Sequence, residues 1–220
     1  MVRGAPVLMV DSDPDRVELA LAAGELACAR PGCGGVLGPW GWARGRWLRD
    51  RGGVWQRVRP RRGRCRERAC RATHVLLPTV GLLRRLDLVE VIGAALLARA
   101  RQASLRQVAA ELGVPLSTVR GWLDRMTGER AELVRAHFTR LALWLDPSVE
   151  APEPRGSPLA DAVEAIGIAA VAAARRLGST GPASAPGGPW RLAAGATGGR
   201  LLAPLALGAS NTSSLFPAPW

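Results

Sequence analysis

The stretch Ser104-Leu-Arg-Gln-Val-Ala-Ala-Glu-Leu-Gly-Val-Pro-Leu-Ser-Thr-Val-Arg-Gly-Trp122 decides how the fold of this chain is interpreted. It places a small residue, Ala109, where two helices would cross, and then Gly113, where a tight turn needs a positive φ. Val119 and Trp122 supply the buried apolar groups of a second helix. A plain helical hairpin is the alternative, but it seldom combines these residues at these offsets. The stretch therefore predicts a helix-turn-helix.

The second helix of this stretch carries polar residues on the face turned away from its apolar side chains. Short hydroxyls near a helix N-terminus commonly contact phosphate, and arginine contacts base edges or phosphate. We therefore expect Arg120 to contact a base or a phosphate. Gly121 either allows close approach to DNA or is neutral. The predicted DNA-binding residues of this helix are Ser117, Thr118, Arg120, Gly121 and Arg125.

Helical periodicity extends on both sides of the motif, over residues 87–145. Ser104 is predicted to cap one helix, which Gly113 ends, and Ser117 is predicted to cap the next. Gly128 is expected to break or bend the chain before a last helix. The helix-turn-helix should thus lie inside a small helical domain.

Four cysteines form two close pairs, Cys28-x4-Cys33 and Cys65-x4-Cys70, with 31 residues between the pairs. Zinc favours four tetrahedral soft ligands, which two thiolate pairs brought together by a hairpin would supply. In a small, arginine-rich segment, metal ligation also supplies folding free energy that packing does not. Unligated thiols are the alternative, and His74 is either a substitute ligand or a hydrogen-bonding core residue. The predicted zinc ligands are Cys28, Cys33, Cys65 and Cys70.

Patterns of alternation around the cysteines predict the strands of a zinc ribbon. The predicted strands cover residues 7–10, 40–48, 54–65 and 74–77, with a turn at residues 50–53. Near the N-terminus, Asp13 and Pro14 resemble the cap and the first position of a helix, and Gly24 should end that helix.

Positive charge is concentrated in the cysteine segment. The formal net charge is +12, and all 30 basic residues are arginine. Residues 28–76 hold a net charge of +11, against −3 for residues 1–27, +4 for residues 77–145 and zero for residues 146–220. Codon bias in a GC-rich genome raises the arginine content of every segment alike. The uneven distribution therefore favours a polyanionic partner, and nucleic acid is the commonest one.

Tryptophans are interleaved with the arginines of this segment, an arrangement that suits combined base and phosphate contacts. Exposed indoles are costly without a partner, so some of them should pack in the ribbon and others should stack on bases or sugars. The alternative role of the arginines is to solubilise a ribbon with two exposed faces. The ribbon residues predicted to bind nucleic acid are Arg57, Arg59, Arg61, Arg62 and Arg64.

The predicted fold is mainly α with a small β zinc ribbon, followed by a helix-turn-helix bundle and a partly disordered tail rich in Ala, Gly and Pro. The expected segments are a strand-helix unit at 1–25, the zinc ribbon at 26–78, the helical domain at 79–145, a proline-rich linker at 146–158 and a helical, low-complexity tail at 159–220. Within the tail, helices are expected over residues 159–177 and 190–202. No secretory signal or membrane span is visible, so a cytoplasmic, nucleoid-associated protein is expected.

Taken together, these residues resemble the zinc-ribbon and helix-turn-helix region of bacterial insertion-sequence transposases. They are also similar to transposase-derived actinobacterial helix-turn-helix proteins of unassigned function. The resemblance covers about residues 26–125 and lies in Cys28–Cys33, Trp40-Gly41-Trp42, Arg61–Cys65, Cys70, Thr73-His74, Leu76-Leu77-Pro78 and Ser104–Trp122. It implies that the four cysteines bind zinc and that double-stranded DNA is the partner.

Catalysis is not expected of this chain. An active transposase needs three spaced carboxylates on an RNase H-like sheet to hold two metal ions. The acidic residues after Leu145 all fall in the predicted linker and helix instead. We therefore expect a non-catalytic DNA-binding regulator or a relic of a mobile element. One alternative is an adaptor whose ribbon and tail helices dock to a protein partner and whose helix-turn-helix is only structural, and another is an RNA-binding zinc-ribbon protein. The C-terminal helices could also form a homodimer or bind a protein partner.

Overall fold

The computed structural model describes residues 6–178 and 188–203. The strands are β1 (Val7–Val10), β2 (Leu37–Trp42), β3 (Arg46–Arg49), β4 (Trp55–Val58), β5 (Arg61–Cys65) and β6 (Thr73–Pro78). The helices are α1 (Pro14–Ala23), α2 (Val89–Ala100), α3 (Leu105–Leu112), α4 (Leu116–Leu123), α5 (Gly128–Leu145), α6 (Pro158–Leu177) and α7 (Gly188–Ala196). The described residues thus combine a small N-terminal sheet with a larger helical part, as the sequence predicted.

The first strand and helix form where the sequence predicts them. The Asp13 carboxylate accepts a hydrogen bond of 2.9 Å from the backbone N–H of Asp15, and Pro14 fills a position where no N–H is needed. Gly24 ends α1 with a φ of 72°, a conformation that favours glycine.

Four strands form one sheet in the order β1-β6-β5-β2. β1 runs parallel to β6, with Val7 opposite Val75, whereas the β6–β5 and β5–β2 pairs are antiparallel. α1 covers one face of this sheet, where Leu21, Leu37 and Leu76 are buried. The N-terminal strand therefore shares a sheet and a core with the cysteine segment.

The two long strands predicted for residues 40–48 and 54–65 are each interrupted, so that prediction is wrong. A gap separates β2 from β3 and another separates β4 from β5. Pro60 explains the second gap, because proline has no backbone N–H for a strand ladder. Its carbonyl accepts the backbone N–H of Ala43 at 2.9 Å. As a result, β3 and β4 form a separate two-stranded hairpin.

The β3–β4 hairpin is attached to the start of the helical part. The backbone N–H of Leu88 donates to the carbonyl of Arg49 at 2.9 Å, and the Arg49 guanidinium lies 2.6 Å from the Asp87 carboxylate. At the hairpin tip, the carbonyl carbon of Gly52 lies 3.6 Å from the position of a Cβ placed on Gly113. The hairpin turn therefore contacts the turn of the helix-turn-helix.

The caps of α3 form as predicted. The Ser104 hydroxyl accepts the backbone N–H of Gln107 at 3.2 Å, and Gly113 ends the helix with a φ of 64°. Gly128 has a φ of 50° and begins α5, which confirms the predicted interruption at that position.

Ser117 does not cap α4, contrary to the prediction. The preceding Pro115 is the N-cap, and its carbonyl accepts the backbone N–H groups of Thr118 and Val119 at 2.9 and 3.2 Å. The fixed φ of proline suits the start of a helix, so the helix begins earlier than the serine signal indicates. Ser117 consequently lies inside the first turn.

α6 and α7 pack into the helical core although they lie in the predicted tail. α6 runs beside α5 and contacts α2, and its buried face is made mainly of alanine. It matches the predicted helix closely. α7 ends before the predicted residue 202, because Gly198 and Gly199 adopt φ values of 58° and 74°. The predicted disorder concerns residues that lie largely outside those described.

Among the described helices, none combines the length and apolar character that crossing a membrane requires.

Candidate metal centre and nucleic-acid interface

The four predicted ligands meet at one point. All four Sγ atoms lie within 4.8 Å of one another. Cys28 Sγ is 3.8 Å from Cys70 Sγ, and Cys33 Sγ is 3.7 Å from Cys65 Sγ. With a Zn–S bond of about 2.3 Å, a regular tetrahedron has sulfur–sulfur edges of about 3.8 Å. The donor set and its spacing therefore fit a Zn²⁺ ion.

Two similar loops position the sulfurs. In the first, the backbone N–H of Cys28 donates to Gly35 and that of Cys33 to Arg30, at 2.8 and 3.1 Å. In the second, the backbone N–H of Cys65 donates to Ala72 at 2.8 Å. A Cβ placed on Gly35 would lie 2.8 Å from Cys65 Sγ, so this position requires glycine. The glycine-rich first loop is thus shaped by the metal centre.

The surroundings of the cysteine thiols shift their pKa values in different directions. Burial raises the pKa of Cys28 to about 12, although the backbone N–H of Arg30 lowers it in part. Burial also raises the pKa of Cys65. By contrast, a hydrogen bond from the backbone of Ala72 lowers the pKa of Cys70 to about 7. A bound cation would favour the thiolate form of the buried pair, and Zn²⁺ supplies that charge.

His74 lies beside the cluster and contacts one ligand. Its Nε2 is 3.3 Å from Cys28 Sγ, and its ring is fully buried. Burial lowers the pKa of His74, which favours the neutral ring. The four sulfurs form a complete tetrahedral set without it. A neutral ring can donate Nε2–H to the Cys28 thiolate, the kind of contact that orients metal ligands.

The helix-turn-helix has the interior that its sequence predicts. Val108 and Val119 are fully buried, and Ala109 and Trp122 nearly so. They belong to one apolar cluster that joins α2, α3, α4 and α5. This packing fixes the orientation of α4, so the direction of its outer face is determined by a rigid core.

The predicted DNA-binding residues of α4 fall into two groups. Ser117, Arg120 and Arg125 are exposed, whereas Thr118 and Gly121 are half-buried. The Arg125 guanidinium donates to the carbonyl of Gly121, and a Cβ on Gly121 would have only that guanidinium within 4 Å, at 3.3 Å. Within residues 6–178 and 188–203, the Arg120 side chain makes no hydrogen bond or ion pair, and its backbone carbonyl accepts the Asp124 N–H at 2.9 Å. Arg120 is therefore available to a ligand.

The five ribbon arginines also differ in availability. Arg57 and Arg59 are exposed. Arg61 is bonded to the Glu18 carboxylate and to a backbone carbonyl. Arg62 donates to the Thr73 hydroxyl at 3.2 Å.

Arg64 stacks on an indole instead of forming an ion pair. Its Cζ lies 4.2 Å from the Trp40 ring centroid. The ribbon thus presents a positive surface in which part of the charge is held by intramolecular contacts.

Sequence reasoning missed the contact between the hairpin tip and the helix-turn-helix. The two consecutive glycines, Gly52 and Gly53, indicated a turn, but nothing in the sequence paired that turn with Gly113. The contact places the residues of the hairpin beside the start of α4.

Comparison with known proteins matches part of this region to a described family. A family model described as "Homeodomain-like domain" matches residues 88–135, from the residue before α2 to the middle of α5. No curated protein and no solved structure matches the chain significantly. The matched residues are the three helices of the helix-turn-helix region and the first part of the next helix. Residues 88–135 are thus similar to a homeodomain-like helix-turn-helix, and that similarity suggests DNA binding.

Proposed function

We propose that this protein is a non-catalytic DNA-binding protein, a regulator or relic related to insertion-sequence transposases, which contacts duplex DNA through α4. The observation that carries the proposal is the exposed, unpaired Arg120 on a helix whose other face is buried. In helix-turn-helix proteins, the second helix of the motif lies in the major groove. Arginine there can donate two hydrogen bonds to guanine or bind phosphate.

The neighbours of Arg120 support backbone contacts. Ser117 is exposed in the first turn of α4, where a hydroxyl reaches phosphate readily. Thr118 lies half-buried beside it. Gly121 leaves its own position on α4 without a side chain, and the Arg125 guanidinium fills part of that space. On this surface the unpaired Arg120 guanidinium lies among the smaller side chains of Ser117 and Thr118 and beside Gly121.

The ribbon adds a second positive surface. A zinc ion held by the four cysteines would stabilise the loops at the ends of β2 and β5, and its chemical role would be structural. Arg57 and Arg59 are the ribbon arginines with the most exposed side chains among the five predicted. The others contribute to the field of the ribbon, which attracts a polyanion at long range.

The contacts of the acidic residues after α5 support the non-catalytic part of the proposal. Asp146 accepts from Ser148 and pairs with Arg175 at 3.2 Å. Asp161 is buried and accepts the backbone N–H of Arg155 at 3.1 Å. These carboxylates stabilise the connection between α5 and α6, a role that explains their presence without catalysis.

A homodimer or a protein partner would use the outer face of α6. Val171 and Leu177 are the exposed large apolar residues of that helix. The rest of its apolar face already packs on α5 and α2. Light scattering of the purified protein, alone and with duplex DNA, would give the oligomeric state.

A DNA-bound role is consistent with the expected location in the cytoplasm, on the nucleoid.

The proposal is tested by binding-site selection from a random duplex library, followed by gel-shift titration at several salt concentrations. Arg120→Ala should weaken binding to the selected site by about tenfold, the range of one good base contact. Arg176→Ala is the matched control, because Arg176 is an exposed arginine in the last turn of α6. Equal effects of the two substitutions, or the absence of any selected site, would contradict the proposal.

A further inference from the structure

We propose that the outer face of the β3–β4 hairpin, formed by Trp47, Trp55 and Arg57, binds an unpaired DNA strand by base stacking. This second DNA-binding activity is distinct from duplex contact by α4. The two activities use different residues and can be tested separately.

The register of the hairpin places two indoles and two guanidinium groups on one face. Trp47 lies directly opposite Arg57, and Arg49 directly opposite Trp55. Because opposed residues of an antiparallel pair project to the same face, the two indoles are diagonal neighbours there. The Arg49 Cζ is 5.8 Å from the Trp55 ring centroid. Each indole therefore has a cation beside it.

The inner face of the hairpin is already used by the fold. Leu48 is fully buried, with its Cδ1 3.2 Å from the position of a Cβ on Gly81. Arg46 donates to the carbonyl of Leu82 at 3.2 Å. The inner face thus holds the hairpin in place, and on the outer face only Arg49 adds an attachment, through its ion pair with Asp87. The two indoles are not needed to hold the hairpin.

Both indoles of the outer face are exposed, which favours a binding partner for this face. Trp47 is 55% exposed and Trp55 is 48% exposed. Arg57 is exposed beside them, with its Nε 3.1 Å from the position of a Cβ on Gly45. Two large flat rings facing water beside a free cation form a surface with both stacking and ionic capacity.

An unpaired DNA strand fits this surface better than the other polyanions. Bases of a duplex hide their faces in the stack, whereas those of a single strand can lie on tryptophan rings. An acidic peptide would match the charge of the ribbon, but it offers no ring faces to two indoles. The net charge of +11 over residues 28–76 supplies the attraction to phosphate.

The position of the hairpin suggests which strand it would meet. Gly52 at its tip contacts Gly113, three residues before α4 begins. A strand leaving a duplex held by α4 would therefore pass close to the hairpin. DNA is chosen over RNA because the homeodomain-like similarity of residues 88–135 suggests DNA as the partner of the adjacent helix.

The test measures binding of a labelled oligothymidine of about 15 nucleotides by fluorescence anisotropy. The double variant Trp47→Ala/Trp55→Ala should bind this oligonucleotide more weakly, by about tenfold for each indole removed. Trp42→Ala is the matched control. Trp42 lies on β2, outside the hairpin, is 46% exposed, and has the Arg61 guanidinium of β5 over its ring. This substitution should leave the affinity unchanged.

A second variant guards against a folding defect in the double variant. Arg57→Gln keeps both indoles and should make the negative slope of log affinity against log salt shallower by about 0.7, the value for one phosphate on a single strand. The proposal is overturned if Arg57→Gln leaves that slope unchanged, or if a folded double variant binds like Trp42→Ala. Tighter binding of an oligouridine of the same length would overturn the choice of DNA.

The same measurements separate this inference from the proposed function. Arg120→Ala should weaken duplex binding while leaving oligothymidine binding intact. Duplex binding without oligothymidine binding would remove the inference alone. Oligothymidine binding without a duplex site would remove the role of α4 alone.

Discussion

Trp190 of α7 lies directly over Gly93 of α2. Three atoms of the indole lie 2.1 to 2.3 Å from the position that a Cβ on Gly93 would occupy. Glycine is therefore required at this point of α2, although glycine in a helix interior costs about 1 kcal/mol relative to alanine. The contact joins α7 to α2, the helix that precedes the helix-turn-helix, so residues far apart in sequence share one core.

Gly93→Ala should destabilise the protein because the methyl group would displace Trp190 from its site. Overpacking of this kind costs about 1–3 kcal/mol. Chemical denaturation measures the free energy of unfolding. Gly167→Ala is the matched control, since Gly167 lies in α6 with nothing within 4 Å of its Cβ position. That substitution should stabilise the protein by about 0.5–1 kcal/mol, and equal effects at the two positions would contradict the packing described.

The ion pair between Arg49 and Asp87 should contribute strongly to the attachment of the hairpin. The two side chains are 16% and 6% exposed. Asp87→Ala would leave the guanidinium partly buried without its partner, at a cost of about 3 kcal/mol. The less buried pair Arg135–Glu132, with side chains 25% and 45% exposed, is the comparison, and Glu132→Ala should cost about 0.5 kcal/mol. A double-mutant cycle on Arg49 and Asp87 measures the coupling, and a value near zero would contradict this prediction.

Local signals predicted most of the elements, whereas long-range contacts could not be predicted. The caps Asp13, Ser104 and Gly113 act through neighbouring backbone groups, so their residue types suffice to place helix ends. The two close cysteine pairs also indicate metal binding directly, because four thiolates are a usual ligand set for zinc. Pairing of the hairpin tip with Gly113, by contrast, depends on the packing of complete elements.

The interruption at Pro60 and the start of α4 show why boundaries were harder to predict. A strand pattern of alternating residues continued through Pro60, but the missing N–H ends the ladder there. The serine signal at Ser117 competed with Pro115, which begins the helix earlier. Among the ribbon arginines, the sequence could not show that Arg61 forms an ion pair while Arg59 stays exposed. The ion pair depends on the position of Glu18 on α1, which is set by the fold.

Adjacent glycines in the first cysteine loop should respond differently to the same substitution. Gly35→Ala would bring a methyl group to 2.8 Å from Cys65 Sγ and 3.4 Å from Cys33 Sγ, whereas Gly34 has nothing within 4 Å of its Cβ position. Gly35→Ala should therefore weaken zinc binding by about tenfold or more, the range found for residues that support metal ligands. Gly34→Ala should not change it. Competition with a chromophoric chelator measures both affinities, and identical values would contradict the geometry of the loop.

Replacement of His74 distinguishes a supporting role from a ligating one. Because four sulfurs already form a tetrahedral set, His74→Gln should keep one zinc ion per chain, measured by mass spectrometry of the purified protein. Loss of the contact to Cys28 Sγ should still weaken zinc affinity by about 10–100-fold. With cobalt in place of zinc, the visible spectrum should remain that of a tetrahedral tetrathiolate site in both proteins. A changed cobalt spectrum in His74→Gln would show that nitrogen is a ligand, since only a change in the donor set alters the ligand field in that way.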